Sequence, residues 1–216
     1  MPSVNYRLKD GSPVKGATTI IKQNIGWGGT PLQFWSNKVG REGKTLQEAW
    51  DTATIPGTIA HYLIECHLKE QEPDLSQYDP EDIKKGEQAF NNFLQWQKNW
   101  DMIPLHVEPN LVSERYKYGG TPDLLALIRG KVALPDWKTG KTYEILFCQL
   151  AAYAQLVVEN DLCGEVKEFH CLRIPKNEDI PSFHHSYWER LPKEAWESFE
   201  CALKLSRNEK KLKELL

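Results

Sequence analysis

The chain has 216 residues, 40% of them apolar, with only 13 Pro and 14 Gly, which is ordinary globular composition and long enough to bury a full core. Its longest apolar run, Leu124 to Ile128, falls far short of the roughly 18–20 residues that cross a bilayer, and Met1-Pro2-Ser3 opens no secretion signal. A soluble, cytoplasmic protein with no membrane partner is therefore expected. A net charge of −3 and a pI near 6.1 exclude a globally basic nucleic-acid-binding chain, so any such contact must use local patches.

From the N-terminus, the β-branched run Thr18-Thr19-Ile20-Ile21 after the turn-like Asp10-Gly11-Ser12-Pro13 predicts a short strand, followed by irregular chain through Gly26 to Gly29. Thr45 and Glu48 have capping-box spacing and open a helix that Pro56 is expected to stop, with a second helix over Gly57 to Leu68. Asp79-Pro80 starts a third helix. Its stripe of Ile83, Phe90, Phe93, Leu94 and Trp100 recurs at helical spacing and reads as core.

Extended chain follows, with strands expected over Val107 to Val112, Thr121 to Ile128 and Lys131 to Lys138, forming a three-stranded meander. Glu144 to Val158 reads as helix, and Val166 to Ile174 and Ser182 to Trp188 as two more strands. A helix from Pro192 places Trp196, Phe199 and Leu203 on one face, and the charged Lys204 to Leu216 is expected to fray. The layout is α/β or α+β, a central mixed β-sheet flanked by helices. Cys66, Cys148, Cys163, Cys171 and Cys201 contain no C-x-x-C pair, which suggests buried free thiols and neither a disulfide framework nor a zinc site.

Strand alternation turns Asp136 and Lys138 to one face and Trp137 to the other. If Arg129-Gly130 is a two-residue hairpin loop, Ile128 pairs with Lys131, and counting outward sets Asp123 opposite Asp136, with β-carbons about 4.5–5.5 Å apart. Two carboxylates so close repel in the apolar company of Leu124, Leu125 and Leu134, and a divalent cation with oxygen ligands, Mg²⁺ or Mn²⁺, relieves that. Alone, an Asp-x-Lys pair on a strand is more often a solvated face with a weak ion pair.

The wider pattern decides between these. Taken together, Glu108, Gly119-Gly120-Thr121-Pro122-Asp123, Asp136-Trp137-Lys138-Thr139-Gly140-Lys141 and Gln149-Leu150-Ala151-Ala152-Tyr153 resemble the RecB-like branch of the PD-(D/E)XK nucleases. The order and spacing are similar to those of phage exonucleases and the mitochondrial genome maintenance exonuclease. The resemblance covers roughly residues 57 to 153. It implies a restriction-endonuclease-like core with a helical N-terminal part, and a Mg²⁺-dependent DNA exonuclease, of phage or phage-derived origin, that hydrolyses phosphodiester bonds with metal-activated water; Mn²⁺ should substitute.

By the same resemblance, Asp123 and Asp136 hold the metal with the Trp137 backbone carbonyl, Lys138 is catalytic, and Gln149 and Tyr153, one helical turn apart, support the site. Gly57-Thr58-Ile59-Ala60-His61 is similar to the branch's G-x-x-x-H helix, which adds His61 to the metal shell. Glu108 is preferred over Glu114 as the further acid, because Val107-Glu108 is expected to begin a strand and Glu114 to pair locally with Arg115. Lys141, Trp35 and Arg41 are candidate DNA contacts, Trp35 and Arg41 within an N-terminal cover that also holds Trp27, Phe34 and Lys38. One domain is expected, with residues 1–105 as helical part and cover and residues 106–216 as nuclease core sheet and C-terminal helix. The cysteine arrangement lacks the pattern of iron–sulfur members, so no cluster is expected. The alternatives are a structure-specific endonuclease and a nucleic-acid-binding relative without turnover; the intact Asp123, Asp136 and Lys138 weigh against the second.

Overall fold

A computed structural model describes residues 4–176 and 183–215. The chain builds a five-stranded mixed sheet flanked by helices, an α+β architecture. In order along the sheet stand β3 (Met102–Val107), β6 (Leu124–Ile128), β7 (Lys131–Lys138), β8 (Glu168–Arg173) and β9 (His184–Trp188). Within this sheet β7 and β8 run parallel, because α5 (Ile145–Glu159) carries the chain between them, and the other described pairs run antiparallel. Two hairpins lie outside this sheet, β1 (Tyr6–Arg7) with β2 (Pro13–Val14), and β4 (Leu111–Ser113) with β5 (Tyr118–Gly120). Among the described residues no helix is long and apolar enough to cross a membrane.

Each face of the sheet buries its own core. Leu125, Leu134, Phe169 and Cys171 face α5, α1 (Ala17–Asn24) and α6 (Lys193–Lys213). Leu124, Ala126, Ala133, Trp137 and Leu172 face α3 (Leu46–Leu68) and α4 (Pro80–Gln97). That alternation along β7 puts Asp136 and Lys138 on the α5 side and Trp137 on the other.

Several local expectations are corrected. Thr18 to Ile21 is helical: Ile20 and Ile21 are buried as α1 packs on α5 and α6, and this burial outweighs β-branched propensity. In place of the expected irregular chain, Gly26–Gly28 form a short 3₁₀ turn and Gly29 begins α2 (Gly29–Arg41). The capping box at Thr45 and Glu48 forms, but α3 runs uninterrupted through Pro56. An internal proline costs about 3 kcal/mol. Fully buried Ile59, Ala60 and Ile64 offset it, each large side chain being worth roughly 1.5–3 kcal/mol, and the Lys176 ammonium donates to the carbonyl of Ala53, three residues before the proline.

Elsewhere the differences lie at element ends. The strand expected over Val107 to Val112 is two strands, broken where Glu108 takes a left-handed φ of 48°. β9 begins at His184, and Ser182 lies outside the described residues, as do Met1, Pro2 and Ser3. Residues 204–213 continue α6. All five cysteines are free, but Cys163 is only half-buried and Cys201 is exposed.

Helices α3 and α4 cross closely at Gly86, where a β-carbon would lie 2.5 Å from Ile59 Cγ2 and 2.7 Å from Ile59 Cβ. Gly86→Ala should therefore destabilise the protein by about 1–3 kcal/mol through overpacking, although alanine is the better helix former by about 1 kcal/mol. A urea midpoint that rises in the variant would show that the crossing has slack.

Candidate metal centre and active site

Three chain segments meet at the end of β6. Glu108 leaves β3 in the left-handed region, where a non-glycine backbone is sparsely populated, and its N–H donates to the Asp123 carbonyl at 3.1 Å. Asp123 directly precedes β6, and His61 reaches over from α3. One ligand atom each from His61, Glu108 and Asp123 lie within 4.8 Å of one another. One imidazole nitrogen and two carboxylates in this spacing fit a divalent cation that accepts mixed nitrogen and oxygen donors.

The hairpin at Arg129-Gly130 forms with φ of 51° and 78°, and the ladder runs from Ile128↔Lys131 to Ala126↔Ala133. Beyond Ala133 the strands stop exchanging backbone bonds, and Pro135 has no N–H to give. The side chain of Asp123 takes over, its Oδ2 accepting from the Trp137 N–H at 2.8 Å. Trp137 thus meets the site through its backbone N–H, and its ring fills the core under α4.

Asp136 stands beside the three-residue cluster and is not one of it. Its carboxylate is fully buried; Oδ1 accepts from Gln149 Nε2 at 3.3 Å, and Oδ2 lies against the Lys138 ammonium with no well-directed hydrogen bond. Gln149 Nε2 also donates to Tyr153 Oη at 3.2 Å, so the two α5 residues act as one brace for Asp136. Gly120 makes room for this brace: a β-carbon there would lie 2.7 Å from Tyr153 Cε1.

The charges around the cluster suit a divalent cation. Burial pushes Asp136 up to about 6, with Lys138 opposing and Asp123 adding to the rise. Glu108 is pushed up to about 7 by burial and by the neighbouring Glu65 and Asp123 carboxylates. Burial works against the charges of Asp123 and His61, yet each holds the other ionised: Asp123 sits below the usual carboxylate range and His61 above the usual imidazole value, with 3.4 Å between Nδ1 and Oδ1. Burial likewise opposes the Lys138 charge, but Asp136 and Asp123 outweigh it and hold the ammonium above its ordinary value. A proton on His61 and the Lys138 ammonium neutralise carboxylates that a divalent cation would otherwise serve. The crowded acids, together with an Asp136 oxygen lacking a directed donor, favour such an ion.

Other expected residues are placed as follows. Glu108 follows β3 and begins no strand. Glu114 pairs with Lys117 at 3.6 Å and accepts from the Lys9 N–H; Arg115 lies over the Tyr116 ring instead. Lys141 is exposed just beyond β7, and Arg41 is exposed at the end of α2. Trp35 packs edge-to-face on Trp50, while Trp27 and Phe34 are exposed. Glu65, one turn beyond His61 on α3, adds its negative field to Glu108, but its own carboxylate is paired with Lys69 at 2.6 Å and it stands outside the three-residue cluster.

No protein-family model matches the sequence, and no curated protein matches it. Among solved structures, the chain is similar to the crystal structure of LHK-Exo in complex with dAMP, with 14% identity and a TM-score of 0.39 over 74% of this chain and 82% of that one. A likeness this loose fixes no chemistry, which must come from the site's own atoms.

Proposed function

We propose that the protein is a divalent-metal-dependent deoxyribonuclease of the PD-(D/E)XK type. The observation that carries this reading is the three-ligand cluster of His61, Glu108 and Asp123 beside the buried Asp136–Lys138 pair. His61, Glu108 and Asp123 would hold Mg²⁺ or Mn²⁺, with Asp136 and the Trp137 carbonyl as the further ligands that the sequence resemblance implies. When bound, the ion would polarise a phosphodiester oxygen and acidify a water.

The chain's own residues supply orientation and fixed charge. Lys138 keeps its positive charge where negative charge grows on a phosphate, and partial burial strengthens that interaction. Asp136 fixes the ammonium, Gln149 fixes Asp136, and Tyr153 fixes Gln149, so the lysine is positioned before substrate arrives. We take the chain as one nuclease domain whose substrate is DNA, single-stranded or with free ends. In this reading α2 and the turn before it, within the helical N-terminal part, cover the strand, while α3, α4 and β3 belong to the core; Trp27 and Phe34 are available to stack on bases, Trp35 anchors α2 to α3, and Arg41 and Lys141 meet phosphates.

The test is incubation of linear and covalently closed single-stranded DNA with Mg²⁺ and with excess EDTA. Linear DNA should be degraded only with Mg²⁺, and the closed circle should stay intact. Undiminished activity in EDTA would sink the nuclease reading. Equal degradation of both forms would keep it and replace end-dependent action with endonuclease action.

A further inference from the structure

The sheet register extends the candidate site sideways. Lys138 is paired with Arg173 on β8, and Arg173 with His184 on β9, so the three side chains form a transverse row on the face that also carries Asp136. With strands about 4.8 Å apart, the row spans roughly 10 Å. One row back, Asp136 is paired with Cys171 and Cys171 with Ser186. The Cys171 thiol lies within the fields of Asp136, Lys138 and Asp123.

This face opens into a cleft of about 320 Å³ between the start of α5 and the β8–β9 edge. Arg173, His184, Ser186 and Cys171 line its sheet side, and Tyr143 and Phe147 its helix side. Arg173 is half-buried and has no hydrogen-bond or ion-pair partner among the described residues. A partly desolvated guanidinium without an anion is unfavourable, and its planar fork suits a phosphate. Tyr143 is half-exposed at the mouth, and Phe147 is held edge-to-face by Trp188 at 5.0 Å, which gives the cleft an aromatic wall beside the Arg173 guanidinium. Glu144 also borders the cleft, but it is exposed to water and to screening salt.

We propose that this cleft holds the nucleotide next to the scissile phosphate of a single DNA strand, Arg173 and His184 contacting a backbone phosphate and Tyr143 contacting the base. The assignment rests on the nuclease reading and adds to it a path for the strand, from the Asp136–Lys138 pair toward β9. Basic side chains in a row with an adjoining aromatic wall are a usual physical means of holding a single strand without reading its sequence.

The experiment measures equilibrium binding of a fluorescent twelve-residue thymidylate strand to the full chain in EDTA, across a salt series. Arg173→Met should weaken binding about tenfold at moderate salt and lower the slope of log K against log salt by about 0.7, the loss of one phosphate contact. Arg173→Lys should restore the slope, which a misfolded variant would not do. Tyr143→Ala should weaken binding several-fold with the slope unchanged. Lys193→Met, a charge loss at the start of α6, should change neither quantity. If the parent binds the strand and Arg173→Met binds it equally with the same slope, the cleft is not the subsite, and the nuclease reading stands. If the parent neither binds the strand nor cleaves DNA with Mg²⁺, both readings fall together.

Discussion

Asp123→Asn should abolish measurable Mn²⁺ binding and lower Mg²⁺-dependent DNA cleavage by about 10³-fold or more, while the metal-free fold survives. The asparagine oxygen can still accept from the Trp137 N–H, so the junction between β6 and β7 keeps its tie. What is lost is the charge that faces His61 and the centre of the three-ligand cluster. The pH dependence of binding in the parent carries the same logic. In the metal-free protein His61 titrates above its ordinary value, and Glu108 near 7, so at pH 6 both hold protons that a cation must displace. Mn²⁺ affinity should therefore rise between pH 6 and pH 8, with protons released on binding. Stability of the metal-free protein should move the other way. A raised carboxyl such as Glu108 favours the fold while it stays protonated, and that contribution is lost as pH rises from its unfolded value to about 7. The His61 contribution is complete below its unfolded value and lost as pH rises through its raised folded one. His61→Ala should weaken Mn²⁺ binding at pH 8 and leave folding nearly intact. Calorimetric titration decides both variants: an Asp123→Asn isotherm equal to the parent's would remove this cluster as the metal site.

How far such a site is legible in a sequence depends on which contacts fix it. The hairpin at Arg129-Gly130 is local, and its two positive φ values set the register of β6 on β7. The Gln149–Tyr153 brace needs only helical spacing. The capping box at Thr45 and the Asp79-Pro80 start of α4 are likewise short-range devices. The shared pair of carboxylates expected from counting is rearranged because Pro135 interrupts the ladder, which lets Asp123 turn its side chain to the Trp137 N–H and leaves Asp136 to Lys138. Glu108 enters through a left-handed turn that nothing in Val107-Glu108-Pro109 announces. Arg173 reaches the site only through the parallel pairing of β7 with β8, a register set by the packing of α5 and invisible to local pattern. The same competition decided α1, where burial of Ile20 and Ile21 against α5 and α6 overrode their strand preference.

Lys138→Met should lower cleavage by on the order of 10²-fold or more and, unlike a surface lysine change, should also destabilise the fold in a pH-dependent way. The reason is that Asp136 is fully buried and its Oδ2, which has no directed donor among the described residues, lies against this ammonium. Removing one partner of a buried ion pair leaves the other uncompensated and costs about 3–5 kcal/mol. Asp136 has an escape, since burial already raises its carboxyl to about 6 with the lysine present; without it the carboxyl rises further and takes up a proton. A raised carboxyl binds its proton more tightly in the folded than in the unfolded chain, so stability falls as pH rises from the unfolded value through the folded one. The loss should accordingly be small at pH 5 and approach the full figure at pH 8. Adding Asp136→Asn to Lys138→Met removes the stranded charge while keeping an acceptor for Gln149, and should return most of the stability at pH 8. Cleavage should not return, because neither the acid nor the ammonium is restored. Urea midpoints of the parent, both single variants and the double variant at the two pH values test this coupling. If Lys138→Met loses the same stability at pH 5 as at pH 8, or if the double variant gains none at pH 8, then Asp136 and Lys138 are not the coupled buried pair on which the proposed chemistry depends.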